Sequence, residues 1–236
     1  MKWQYQYITP SRVDNFAQFQ TGKLYNFGDA PEYTEEKFID DLLRINQDTT
    51  KMDAGIAVHS YLEHAQYGQE LSGLIKIGDW IVEIDDTLDI EYQAPTLRER
   101  WIEGQLAGVR IIGRLDGREG DLITDIKTTS KAISEVIDKY LSSYQWKMYC
   151  MITEVYKFRY DIFKVKIDEF EDSKMNHIKK VKIVDYSYFH CYFNDDMKLD
   201  VISIINEYKE YLDSIADKII ERAKYFNVTI DFKKVR

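Results

Sequence analysis

The run Leu122-Ile123-Thr124-Asp125-Ile126-Lys127 constrains the fold more than any other stretch of the chain. Alternation along a strand sends Ile123, Asp125 and Lys127 to one face and Leu122, Thr124 and Ile126 to the other. A strand that otherwise looks like core therefore finishes with a carboxylate and an ammonium side by side. Burying both is costly unless they hold something, so this strand end predicts a binding or catalytic point.

The surrounding pattern predicts how the strand is framed. "LIKIGDWIVEI" reads as two short strands around a turn at Gly78-Asp79, and "ERWIEGQL", "VRIIGRLD", the turn "GREG" and "DLITDIK" read as a β-meander. "KFRYDIFKVKI" and "KKVKIVDYSYFHCYF" are a late strand pair. Helices are expected at 9–22, where Thr9 or Ser11 caps and Gly22 stops; after Thr34 in "TEEKFIDDLLRINQ", with Phe38, Leu42, Leu43 and Ile45 inward; and from Asp53 to Gly68. "SKAISEVIDKYLSSYQWKMYCMITEVY" predicts two helices broken near Ser142-Ser143. A long final helix carries Leu199, Ile202, Ile205, Tyr208, Leu212, Ile215 and Ile219 at spacings of three or four. All three prolines (Pro10, Pro31, Pro95) lie in the first 95 residues, which suggests a looped, helical front and an uninterrupted back. The expected fold is α/β: a central mixed β-sheet flanked by helices in one domain. A helical part covers 1–70, a core about 74–193, and a C-terminal helix about 195–224.

At 236 residues the chain can bury a sizeable core. A net charge of −9 argues against coating nucleic acid by bulk electrostatics. Residues 98–147 nevertheless carry nine Lys or Arg against eight acids, the least repulsive region for a polyanion. The start, "MKWQYQYITPSR", lacks the apolar core of a signal peptide, and no run could span a bilayer. Cys150 and Cys191 have no CxxC spacing and read as reduced thiols, so a cytoplasmic protein without a membrane role is expected.

If the strands pair through "GREG", Asp116 and Asp125 lie on neighbouring strands roughly 5 Å apart and can converge on one hard cation. Oxygen ligands of this kind suit Mg²⁺, for which Mn²⁺ can substitute. A lysine beside that cation can orient or deprotonate a water and offset charge developing on a phosphate. The grouping suits phosphodiester hydrolysis.

"GRLDG…LITDIKTTS" resembles the core of the PD-(D/E)XK nuclease superfamily, with its restriction-endonuclease-like fold. Asp116 stands at the first acid position and Asp125-Ile126-Lys127 at the (D/E)XK. The trailing "KTTS" and the glycine before "RLD" are similar to the RecB-type, lambda-exonuclease-like branch. "GIAVHSYLE" resembles that branch's upstream Gly-x-x-x-His helix, and "YQWKMY" its downstream Gln-x-x-x-Tyr helix. The resemblance implies metal ligation by His59, Asp116, Asp125 and the Ile126 backbone carbonyl, with Lys127 assisting the attacking water. Gln145 and Tyr149, one helical turn apart, would orient substrate or the lysine. Two cysteines exclude the iron–sulfur subtype, which needs four, and Leu115 stands where the literal motif has proline.

The resemblance further implies a DNA substrate and a Mg²⁺-dependent enzyme, with an exonuclease on linear DNA as the leading form. Stand-alone members often belong to phages or mobile elements and serve recombination or DNA processing. Unwinding or processivity would come from a recombinase, single-strand-binding or helicase partner, or from a homo-oligomeric ring. An endonuclease of the same fold, or a nucleic-acid-binding module that does not cleave, are the alternatives.

Each residue also has a plain structural reading. His59 alone is a core or surface histidine, Lys127 a solvated strand end, Asp125 a turn cap and Tyr149 a packing residue. Glu63 follows His59 by one turn and is either a second partner holding its tautomer or a surface acid. Arg114 and Lys131 flank the site and are candidate phosphate contacts. Glu99, Glu103 and Asp121 read as ordinary solvated charges, and His64, His177 and His190 as structural. The 18 tyrosines could stack on bases, though most aromatics simply fill cores. "HIKKVK" and "DFKKVR" read as strand edge and tail rather than DNA tracks.

Overall fold

A computed structural model describes residues 7–22, 32–45, 49–63, 73–88, 90, 92–171 and 177–230. The strands β1 (Leu74–Ile77), β2 (Trp80–Ile84), β3 (Leu97–Leu106), β4 (Val109–Glu119), β5 (Leu122–Thr129), β6 (Lys157–Glu171) and β7 (His177–Tyr192) form one sheet. Its order is β1-β2-β7-β6-β5-β4-β3. The β2–β7 and β5–β6 pairs are parallel and the rest antiparallel, so the sheet is mixed as expected. The helices are α1 (Pro10–Gln20), α2 (Glu35–Leu43), α3 (Thr50–Glu63), α4 (Ile137–Ser142), α5 (Tyr144–Thr153), α6 (Met197–Ser214) and α7 (Ala216–Tyr225).

Two apolar layers follow from the alternation of β5 and β6. Ile123, Phe158, Tyr160 and Ile162 pack with residues of α1, α5 and α6, including Phe16, Trp146 and Tyr208. Ile126, Phe163 and Val165 pack with Val58, Tyr61 and Leu62 of α3 and with Val82, Val181 and Ile183. The central strands are thus buried from both sides, as parallel neighbours usually are.

Several local signals behave as the sequence predicts. Pro10 opens α1 behind Thr9, although the Thr9 side chain makes no capping bond. Thr34 caps α2 by accepting from the Lys37 backbone N–H, and Ser143 does the same for Gln145 at the break between α4 and α5. The β3–β4 hairpin turns on Ala107 and Gly108, both at positive φ (49° and 72°), the primed-turn geometry that matches strand twist.

Three expectations need correction. The "GREG" turn is tighter than read: β4 runs on through Glu119, only Gly120-Asp121 turn, and Asp116 is inside its strand rather than at its end. The long final helix is two, interrupted at Ile215, so that α7 swings onto α2, where Arg222 forms a bidentate ion pair with Asp40 at 2.7 and 2.8 Å. Its inward face is Val201, Ile204, Ile205, Tyr208 and Leu212, whereas Leu199 is 75% exposed because it lies in the first turn, ahead of the packed stretch. The predicted end of α3 at Gly68, His64, the His177 side chain, Pro31 and the tail "DFKKVR" lie outside the described residues. Among the described residues no helix is long and apolar enough to cross a membrane.

Candidate active site

The candidate site lies where β4 and β5 part. Their pairing covers Gly117 to Glu119 against Leu122 to Thr124 and stops there. Beyond it the Asp116 carboxylate fills the gap, its Oδ2 accepting the Ile126 backbone N–H at 2.8 Å. The β3–β4 register skips Glu99 opposite Asp116, and Glu99 takes a left-handed φ of 51°. The irregularity turns both carboxylates into one cleft of about 570 Å³, lined by α3, β3, β4, β5 and Gln145.

From the layer that Ile126 faces, α3 brings His59. Gly55 makes this approach close: a Cβ there would lie 3.0 Å from Thr128 Oγ1. One turn on, His59 Nε2 is 2.9 Å from the Ile126 carbonyl oxygen and Nδ1 is 3.7 Å from Asp116 Oδ2. Burial, with Lys127 nearby, pushes the imidazole below its ordinary range and favours the neutral ring.

From the opposite layer, α5 brings Gln145. Lys127 Nζ lies 2.6 Å from Asp125 Oδ2 and donates to Gln145 Oε1 at 3.1 Å. Gln145 Nε2 donates to the Tyr149 hydroxyl at 3.3 Å, and that hydroxyl donates to the Arg114 carbonyl at 3.1 Å. Gly113 leaves room for the Tyr149 ring, since a Cβ there would stand 2.5 Å from Cε1. Gln145 therefore contacts the lysine, and Tyr149 contacts Gln145. Burial pushes the Asp125 carboxyl up to about 6 and raises that of Asp116. Burial opposes the charge on Lys127, but Asp125 and Asp116 outweigh it and hold the ammonium charged. Gln145→Leu is expected to free Lys127 from its second contact while leaving the melting temperature close to the parent's, which thermal melts check.

Glu99 corrects the sequence reading most. It is not a solvated charge: its side chain is 20% exposed, ion-paired to Arg114, and within 4.8 Å of ligand atoms of both Asp116 and His59. Burial, a hydrogen bond to Glu63 and the charge of Asp116 push its carboxyl up to about 7. A hydrogen bond joins Glu63 to Glu99. The register could have exposed Glu99: counting back from the Ala107-Gly108 turn sets it opposite Asp116. Glu103 and Asp121 are surface charges paired with Arg110 and Lys157. Arg114 lines the cleft, whereas Lys131 lies outside it, in a smaller neighbouring cavity of about 190 Å³. Burial raises the thiols of Cys150 and Cys191 to about 12, leaving them poor nucleophiles.

The donor set suits a hard divalent cation. Carboxylate oxygens of Asp116 and Glu99 and a nitrogen of His59 lie close enough together to share one ion, and Asp125 and the Ile126 carbonyl border the same gap.

No protein-family model matches the chain, and no curated protein matches it. Among solved structures, one titled a "Putative exonuclease" from Eubacterium rectale shares 13% identity at a TM-score of 0.43, covering 95% of this chain and 84% of that one. The protein SSO0001 shares 11% identity at a TM-score of 0.38, covering 89% of this chain and 77% of that one. Both likenesses are too distant to carry a function over to this chain.

Proposed function

We propose that the chain is a metal-dependent deoxyribonuclease of the PD-(D/E)XK kind and RecB-type branch, acting as an exonuclease on linear DNA in recombination or DNA processing. The observation that carries this reading is the meeting, in one cleft, of Asp116, Asp125, Glu99 and His59 with a lysine whose position is held from two sides. Mg²⁺ or Mn²⁺ held by Asp116, Asp125, His59, Glu99 and the Ile126 carbonyl would polarise the scissile phosphate and lower the pKa of an attacking water.

The chain's own residues do the rest. Lys127, held as a cation between Asp125 and Gln145, donates to the attacking water or to a phosphate oxygen and offsets the negative charge growing there. As an ammonium it positions and neutralises; it does not accept the proton. Asp116 uses one carboxylate oxygen to fix the β5 backbone at Ile126, which aims the carbonyl into the gap. Arg114, half exposed at the rim of the cleft, is the candidate contact for an incoming phosphate.

The test is cleavage of end-labelled linear duplex and of a covalently closed circle, with Mg²⁺, Mn²⁺ or EDTA. The expected result is metal-dependent loss of the linear DNA with the circle intact. Cutting of the circle replaces the exonuclease with an endonuclease, and no cleavage under either metal removes the enzymatic reading.

A further inference from the structure

Outside the cleft, the most unusual surface is the half of β7 that β2 does not reach. β2 pairs with Lys179 to Ile183 only. Beyond it, alternation sends Tyr186, Tyr188, His190 and Tyr192 to one face. Tyr188 and Tyr192 are 54% and 64% exposed, an unusual amount of aromatic surface to leave in water. Successive rings lie 6.4, 5.7 and 6.3 Å apart. Beside them on β6, His190 pairs with Arg159 and Tyr192 with Lys157. The Arg159 guanidinium sits 5.7 Å from the Tyr188 ring centre, fixed by Asp161 and the Gln93 carbonyl. A concavity of about 460 Å³ opens among Gln93, Arg159, Tyr188 and His190. Partial burial and Arg159 keep His190 below its ordinary range, so its ring is uncharged near neutral pH.

Exposed aromatic faces beside a surface cation are what a single strand of nucleic acid binds: bases stack on the rings, and Lys157, whose solvent-exposed pair with Asp121 is weak, meets a phosphate. Side chains on one face of a strand repeat every two residues, roughly 6.8 Å, about twice the 3.4 Å rise per nucleotide in a stacked duplex. The spacing therefore suits bases pulled apart rather than a paired helix. Tyr188 is opposite Asp161, and Asp161 opposite Ile126, so the platform begins two strands, roughly 10 Å, from the candidate site.

We infer that Tyr188, His190 and Tyr192, with Lys157 alongside and the buried Arg159 steadying the Tyr188 ring from below, form a stacking platform for about three unpaired nucleotides. The inference rests on the nuclease reading only for where that strand leads: an unpaired strand next to the cut.

The experiment is anisotropy of a labelled oligo-dT 12-mer with the Asp125→Asn protein in EDTA, where cleavage cannot interfere. The double variant Tyr188→Ala/Tyr192→Ala on that background should bind on the order of a hundredfold more weakly, about tenfold per ring. The Tyr188→Phe/Tyr192→Phe protein should stay within about twofold, because the rings and not the hydroxyls act. Affinity for a 12-bp duplex should hardly change in either. Both pairs are solvent-facing, and matching thermal melts confirm folding. Absence of oligo-dT binding by the parent, equal loss for duplex and single strand, or unchanged affinity in the alanine variant overturns the platform. So does a change in sedimentation mass in place of affinity, which would make the face a protein interface. Cleavage by the intact protein is scored separately: cleavage without tyrosine-dependent binding sinks the platform alone, and tyrosine-dependent binding without cleavage sinks the nuclease alone.

Discussion

Replacing Asp125 by asparagine is expected to lower metal-dependent cleavage on the order of 10³-fold or more, with the duplex still bound. The substitution keeps the side chain's shape and removes the charge that both draws a cation and holds the Lys127 ammonium. Removing one electrostatic contact to a transition state in a dry site costs about 10²–10³-fold, and this residue supplies two. Lys127→Ala should fall by a similar factor, and the double variant should be little worse than either, because the pair acts as a unit. Single-turnover cleavage at saturating enzyme measures all three. Full activity in Asp125→Asn would place the chemistry elsewhere.

Gly117→Ala is expected to destabilise the fold by about 2–3 kcal/mol and lower the melting temperature by about 5–10 °C. A Cβ there would stand 2.2 Å from Pro95 Cγ and 2.3 Å from Thr124 Oγ1, and a proline ring cannot rotate away. Gly117 begins the short stretch where β4 and β5 pair, directly after Asp116. Relief of the clash must shift that junction, so cleavage should be lost together with stability. Differential scanning calorimetry and the cleavage assay read the two effects; a melting temperature within 1–2 °C of the parent's, by the same scale, would show that the loop at Pro95 yields.

What the sequence made legible was local. Turn residues, caps and alternation marked nearly every element, because Gly78-Asp79, Thr34 and Ser143 act through their immediate neighbours. The Asp116, Asp125 and Lys127 grouping was legible because a charged pair on a core strand is costly without a purpose. Glu99 was hidden because a single acid in an alternating strand resembles any exposed one; only its partner across the hairpin and its left-handed backbone set it apart. Leu199 and the break at Ile215 were hidden because a 3.6-residue period says which face is apolar, not where a neighbour stops covering it.

The parallel β2–β7 pairing has a consequence for the order in which the chain folds. It joins Trp80 to Lys179, about 100 residues apart, and such contacts close late because loop entropy is lost before they form. The β4–β5 pairing beside Asp116 and Asp125 is local in sequence, but α3, which carries His59, packs partly on Val181 and Ile183. The two acids are thus brought near by local pairing, whereas the packing that seats the histidine is complete only once β7 is in place. A chain lacking β7 would carry an incomplete site.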